Sequence, residues 1–340
     1  MTRGRRAVNR RPGPGRFVQQ GPARAPGGRE SLRPGASCLI LPAVRILILS
    51  RKRRLYSTRR LREEGERLGH DVDVLDPLRA VLLLKGDGPS ILVGGRVLAP
   101  PDVVIPRVGQ AGLAYAVAVV RHFDLMRVPV LNNHGPIARA KNKLGCLQLL
   151  ASKGLPVPDT LIARYPRDLD RLIKLVGGPP VILKLLRGTQ GTGVIFAESR
   201  ASVASVLETL WSLGEDILLQ RFVAESKGKD LRVLVVEGKA RGAMRRVGAE
   251  GEFRSNIHRG GTGERVDLSP AHARLAVAAT KALGLEVAGV DLLETSAGPL
   301  VLEVNASPGF EGLEEATGEN VARVLVKAAL RAARRKGGRR

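Results

Sequence analysis

Oxygen-bearing side chains close together in the last fifth of the chain are the first residues that could do chemistry. Asp291 lies in the strand-like run Val287–Leu293, while Glu303 and Asn305 lie on and at the end of a second run, Leu300–Val304. Side chains two residues apart on a strand point the same way, so Glu303 and Asn305 share a face. Antiparallel pairing of the two runs would add Asp291. Two carboxylates and an amide are hard donors, and so small a set suits Mg2+, which keeps water and phosphate ligands. A capped strand end is the plainer reading, and Ser307-Pro308-Gly309 makes a rigid turn that would hold Asn305 in place.

Three other stretches have the residue types that bind a nucleotide. Lys184 ends the apolar run from Val181 and precedes Gly188, Thr189, Gln190, Gly191, Thr192 and Gly193. Glycines let a loop turn its N–H groups around phosphate oxygens, and the lysine adds a fixed charge. No Lys-Ser or Lys-Thr closes the loop, so it is not a Walker loop. Read alone, it is a flexible hairpin. Gln220-Arg221-Phe222-Val223 reads as an extended connection between lobes, suited to an adenine edge, and Asp230 could accept ribose hydroxyls, with Arg232 two residues on. On composition it is only a linker. Phe253-Arg254-Ser255-Asn256-Ile257-His258-Arg259-Gly260-Gly261 sets two arginines and an amide beside pliable glycines. The arginine fork suits phosphate or carboxylate; a solvated basic loop is the alternative.

The elements that must position these residues alternate between strand and helix patterns from Val44 on. Arg45–Ser50 reads as a buried strand, Thr58–Gly69 as an exposed helix and Asp71–Pro77 as a second strand. Pro101–Val108 and Val128–Asn132 add strands around a helix near Leu113–Phe123, which makes a small open α/β lobe over 44–135. Arginine and lysine follow its first strand where G-x-G-x-x-G would stand, so a nicotinamide-binding lobe is not expected. A helix over Ala138–Ser152 leads to a boundary at Gly154, Pro156 and Pro158. A second lobe over 136–223 reads strand, helix, strand, glycine loop, strand, helix, strand. The third, over 224–330, carries strands from Asp230 to Val247, a helix near Ala271–Leu283, the two oxygen-bearing strands and a final helix over about Gly318–Arg334. The fold class is α/β with α+β lobes.

Composition limits what such a chain does. Hydrophobic residues are 44% and aromatics 3%, so cores rest on Val, Leu, Ile and Ala, and base stacking on aromatic platforms is not expected. Of the +24 net charge, residues 1–43 carry +8 and residues 331–340 carry +6, both read as solvated and unstructured, which leaves +10 for 44–330. That suits polyphosphate or an acidic substrate as well as nucleic acid. Two cysteines, Cys38 and Cys146, make no disulfide framework and point to the cytoplasm. No run approaches the roughly 18–20 apolar residues of a membrane span. Residues 1–43 are rich in Arg, Gly and Pro and lack apolar periodicity, so translation is expected to start at Val44 through an alternative start codon; native peptides from 1–43 would refute this.

The order of Lys184, the glycine loop, the hinge, Asp230 and Arg232, Phe253–Gly261, Ala288–Asp291 and Glu303–Gly309 resembles the ATP-grasp ligases. More narrowly it is similar to the RimK type, with Leu49–Glu63, Asp73–Pro77, Ile105–Gly109 and Ala138–Leu144 contributing and the likeness running from Val44 to about Lys327. The resemblance implies an ATP-grasp fold behind an N-terminal pre-ATP-grasp domain. It implies an ADP-forming carboxylate–amine ligase that adds L-glutamate to the C-terminus of a ribosomal small-subunit protein through an acyl phosphate. ATP and Mg2+ would be the cofactors, with two ions expected and Mn2+ able to substitute, and the chain would form a homo-oligomer. Lys143 and Lys184 would contact the ATP phosphates, with Gly188, Thr189, Gln190, Gly191 and Gly193 closing over them. Arg221 and Phe222 would lie at the adenine hinge, Asp230 near the nucleoside, and Arg254, Ser255 and Asn256 near the phosphates. The family usually has an acid where Arg221 stands, so backbone contacts are what carries over there. Asp291, Glu303 and Asn305 would hold the metal, and Arg232 and Arg259 would meet the acyl phosphate or a substrate carboxylate. Two alternatives remain. A small-molecule carboxylate, such as a coenzyme, would serve as acceptor in place of a protein, or the chain would be a basic ribosome- or RNA-binding module, whose binding would be strongly salt-dependent.

Overall fold

Four buried apolar residues, Ile46–Leu49, fill β1 (Arg45–Leu49) because this strand lies inside a parallel sheet covered on both faces. The computed structural model describes residues 42–162, 168–186, 193–253, 255 and 260–337. Helix α1 (Tyr56–Arg67) follows and returns the chain to β2 (Asp71–Leu75), parallel to β1. A small antiparallel sheet of β3 (Val81–Lys85), β4 (Gly88–Val93) and β5 (Arg96–Val97) comes next, unforeseen from the alternation of the sequence. Strand β6 (Val103–Pro106) then pairs with the other edge of β1, and α2 (Leu113–Leu125) follows it. Helix α1 packs on the Ile46 and Ile48 face, and α2 on the Leu47, Leu49 and Val104 face. The connections therefore change sides between β1 and β6. The strand expected over Val128–Asn132 reduces to one parallel bridge, Val104 to Val130.

The single helix expected over Ala138–Ser152 is two, α3 (His134–Lys141) and α4 (Lys143–Ser152). Asn142 leaves the helical region at φ −87°, ψ 98°, and its side chain accepts the Gly145 N–H at 2.9 Å. Asparagine competes with helical bonding in this way, and here it restarts the helix with Lys143 in the first turn.

The second sheet runs β7-β10-β8-β9, all antiparallel, from β7 (Thr160–Ile162), β8 (Val181–Leu185), β9 (Val194–Ala197) and β10 (Ile217–Arg221). Helices α5 (Leu169–Leu175) and α6 (Arg200–Ser212) cover the face carrying Val181, Leu183, Ile217 and Leu219. By alternation the opposite face carries Ile182, Lys184, Phe196 and Gln220.

The third sheet runs β13-β12-β11-β14-β15, from β11 (Lys229–Val236), β12 (Lys239–Val247), β13 (Thr262–Arg265), β14 (Val287–Leu293) and β15 (Leu300–Asn305). Helix α7 (Pro270–Leu283) packs on the face of Leu231, Val233 and Val290. On the other face Leu234, Val236, Met244 and Val287 meet α8 (Glu311–Thr317) and α9 (Val321–Gly337). That helix corrects the basic tail expected from residue 331: its last turns continue to Gly337, and Arg331 and Arg335 both bond the Glu237 carboxylate at 2.5 Å. Asn132 joins the first sheet to the third. Its amide donates to Val287 O at 2.7 Å and Ala306 O at 2.8 Å, and its oxygen accepts the Glu286 and Val287 N–H groups at 2.8 Å. No helix among the described residues is long and apolar enough to cross a membrane.

Candidate active site

Strands β11, β12, β14 and β15 set a row of charged side chains across one face of the third sheet. Register pairs Asp230 with Arg246, Arg232 with Asp291, and Asp291 with Glu303. A bulge after Asp291 leaves Leu302 without a partner, and on the Asn305 side of that irregularity Gly289 stands opposite Asn305. Asp291 is only 2% exposed and accepts Arg232 Nε and Nη2, both at 2.7 Å, with Arg246 Nη2 at 2.9 Å. Burial alone would raise its pKa, but the two guanidinium groups outweigh this and hold the carboxyl below its ordinary value. Asn305 Nδ2 lies 3.4 Å from the same carboxylate, and Glu303 is exposed.

This donor set fits a magnesium ion. No cluster of three or more His, Cys, Asp or Glu that could hold a metal occurs among the described residues, so an ion here would keep other ligands, as Mg2+ bound with phosphate does. Asp291, Glu303 and the Asn305 carbonyl would hold it.

Cations face these oxygens from the other elements. Lys184 Nζ donates to Gln220 Oε1 at 2.7 Å, and Gln220 Nε2 donates to Thr160 Oγ1 at 2.8 Å. Burial pushes the Lys184 ammonium down to about 8; Glu303 opposes that shift and Lys143 adds to it. Lys143 Nζ donates to Leu185 O at 3.3 Å, which ties α4 to the end of β8. Lys141, at the end of α3, is lowered by burial, with Glu303 raising it and Arg107 lowering it further. Glu303 thus feels lysines from two other parts of the fold. Beside them, Phe196, Phe222 and Phe253 cluster with ring centroids 4.8 Å and 5.4 Å apart.

A profile of the RimK-like ATP-grasp domain matches residues 140–329, and one of the RimK pre-ATP-grasp domain matches residues 44–137. The chain belongs to the RimK-like ATP-grasp family. It is an ATP-grasp ligase with an N-terminal pre-ATP-grasp domain. A probable alpha-L-glutamate ligase of Marinomonas sp. (strain MWYL1) is 49% identical over 284 residues, 84% of this chain and 94% of that protein. The ATP-grasp ligase PsnB complexed with minimal precursor is 26% identical, with a TM-score of 0.69 over 86% of this chain and all of that one. In complex with a phosphomimetic precursor variant, Mg and ADP, PsnB superposes with a TM-score of 0.67 at 24% identity, over 86% of this chain and 99% of that one.

In this RimK-like ligase Lys143, Lys184, Asp291, Glu303, Asn305 and Arg232 come together. Asp230 differs from the expected ribose acceptor: it is 3% exposed, and Arg246 Nε and Nη2, both at 2.6 Å, and the Ser255 hydroxyl take up its oxygens. It organises the sheet face instead. Arg221 is exposed, and its guanidinium lies 3.4 Å from Asp159. A separate surface cavity of about 300 Å3, with Pro156, Arg274 and Leu275 in its wall, shares only Arg221 with the expected set. Gly193 has φ +75°, and a Cβ there would meet Leu185 at 2.9 Å, so the residue that closes the glycine loop must be glycine. Gly188, Thr189, Gln190, Gly191, Arg254, Asn256 and Arg259 lie outside the described residues, as do Cys38 and residues 1–41. Sequence reading gave no role to Arg107, Lys141 or Arg246 and took Gln220 only as part of the hinge, although the stretches Ile105–Gly109 and Ala138–Leu144 already stood out.

Proposed function

We propose that the chain uses ATP and Mg2+ to couple the amine of L-glutamate to the C-terminal carboxylate of a ribosomal small-subunit protein. One observation carries this reading: Glu303, paired with Asp291 across two strands of one sheet, feels the charges of Lys184 and Lys141 from other elements, so oxygen donors and cations face each other. Such an arrangement suits a bound triphosphate. The relative's name supports glutamate, and the precursor-bound ligase supports a peptide acceptor over a coenzyme.

An acceptor carboxylate oxygen attacks the γ-phosphorus, the bond to the β,γ-bridging oxygen breaks, and ADP leaves. The glutamate amine then attacks the acyl carbon, loses a proton, and phosphate departs as the amide forms. Lys143 and Lys184 neutralise charge that gathers on the phosphate oxygens, and Arg232 stands ready for the acyl phosphate. When bound by Asp291, Glu303 and Asn305, Mg2+ supplies charge neutralisation at the phosphates. The Gly188–Gly193 loop closes over the nucleotide, Phe222 lines the adenine hinge, Arg254, Ser255 and Asn256 approach the phosphates, and Arg259 meets a substrate carboxylate. Residues 44–135, 136–223 and 224–330 act as the N-terminal, central and catalytic lobes of a cytoplasmic homo-oligomer in which Mn2+ can replace Mg2+.

Intact-mass analysis of small-subunit proteins after incubation with ATP and glutamate tests this. Stepwise glutamate additions to one protein are expected, and Asp291→Ala or Glu303→Ala should lower ADP release by about 10²–10³-fold. Glutamate incorporated only into a small molecule would reassign the acceptor; salt-sensitive RNA binding indifferent to both substitutions would refute the ligase role.

A further inference from the structure

Arg107 is a half-buried arginine with no acid beside it among the described residues. It follows β6, where its N–H donates to Leu49 O at 2.8 Å, so its backbone spans the carboxyl ends of β1 and β6. Because α1 and α2 cover opposite faces, the gap between these two strands is the switch point of the parallel sheet, the position at which open α/β sheets receive ligands. The guanidinium lies 5.8 Å from the Phe310 ring centroid, and Nη2 donates to Pro308 O at 2.6 Å and Ser57 Oγ at 3.1 Å. Nε is buried and has no hydrogen-bond partner among the described residues. No carboxylate pairs with Arg107 among the described residues, in contrast to Arg232 and Arg246, which hold Asp291 and Asp230. Burial lowers its pKa to about 10, which leaves it charged at neutral pH, and Lys141 feels that charge. A guanidinium N–H taken out of water without a partner is costly unless an anion arrives. Pro308 belongs to the turn that follows Asn305, so this cation stands next to the metal-binding strand.

We propose that Arg107, with Lys141 nearby, receives a substrate carboxylate that does not itself react: a carboxylate of the incoming amino acid, or an acidic group of the acceptor. Both sources share the same chemistry, an oxyanion that takes the open edge of the guanidinium. The assignment rests on the proposed ligase function and adds to it a specificity residue from the N-terminal domain.

Steady-state kinetics of wild type, Arg107→Gln, Arg107→Lys and Lys141→Gln, with KM measured separately for glutamate, acceptor and ATP, tests it. Arg107→Gln should raise the KM of one carboxylate substrate by about 10- to 100-fold, the loss of a charge-assisted hydrogen bond, with kcat and the KM for ATP within about twofold. Glutamate or acceptor is identified by whichever KM moves; Arg107→Lys should recover part of it, and Lys141→Gln should move the same constant. If Arg107→Gln does not fold, Arg107→Lys decides by the same criterion: a carboxylate KM raised above wild type, with kcat and the KM for ATP within about twofold, supports the proposal. Unchanged carboxylate KM values, or a fall in kcat and ATP affinity alone, would make Arg107 a latch on the Pro308 turn and overturn the proposal. Wild type that releases no ADP with glutamate and acceptor would instead overturn the ligase function and this inference with it.

Discussion

Asp291 answers to two arginines and a prospective metal, and that competition decides what single substitutions do. Removing Asp230 leaves Arg246, of which 8% of the side chain is exposed, beside a single remaining carboxylate, so Asp230→Ala should cost about 3–5 kcal/mol in denaturant unfolding. Lys184, lowered to about 8, is charged at pH 7 and neutral well above 8. ATP affinity should therefore weaken as pH rises through about 8, and ATP binding near pH 8.5 should take up a proton, measurable by calorimetry in buffers of different ionisation enthalpy. For stability, the unfolded chain keeps the Lys184 proton up to about 10.5 and the folded chain only to about 8, so this lysine opposes folding at neutral pH and ceases to as pH climbs between them. Asp291 has the opposite sense. Its depressed pKa stabilises the fold above the ordinary carboxylate range, and that contribution disappears as pH falls below it.

At the scale of elements, close approach decides which backbones tolerate a side chain. Gly289 of β14 stands opposite Asn305, and a Cβ there would meet Pro308 at 2.6 Å. Gly289→Ala should push the turn off the sheet, costing about 1–3 kcal/mol and displacing Asn305 and Arg107 together. Its signature would be a lower kcat with a reduced melting temperature, while Glu303, farther along β15, keeps its place. Asn132 shows the complementary case, where one side chain beside the first sheet satisfies four backbone groups on and next to β14 and β15 of the third. Asn132→Ala should destabilise the protein by roughly 3 kcal/mol, read from urea unfolding, because buried donors and acceptors lose their partners.

For the whole molecule, the site exists only where three sheets and the α3–α4 pair meet. Mg·ATP at 100 times its Kd should stabilise the native chain by about 2.7 kcal/mol, since a ligand that binds only the folded state adds its binding free energy to folding. Thermal melts should show that gain in wild type and lose most of it in Lys184→Met, which removes the charge from the second sheet while keeping the length of the side chain. An equal gain in Lys184→Met would place the nucleotide away from this cleft.

Local pattern determined much of this protein by itself. Period-two alternation set Glu303 and Asn305 on one face, and the order of glycine loop, hinge and oxygen-bearing strands marked the family, because these properties depend on neighbours a few residues apart. Tertiary structure alone decided the rest. Asp230 looked free until Arg246, sixteen residues on, closed upon it; the chain from residue 331 looked like a tail until Glu237 bonded Arg331 and Arg335. Arg107 was one arginine among many in a basic chain, and it became distinctive because folding brought Ser57, Pro308 and Phe310 around it and, among the described residues, no acid. Charge pairing between residues far apart in sequence is a property of the packed chain, and no local spacing encodes it.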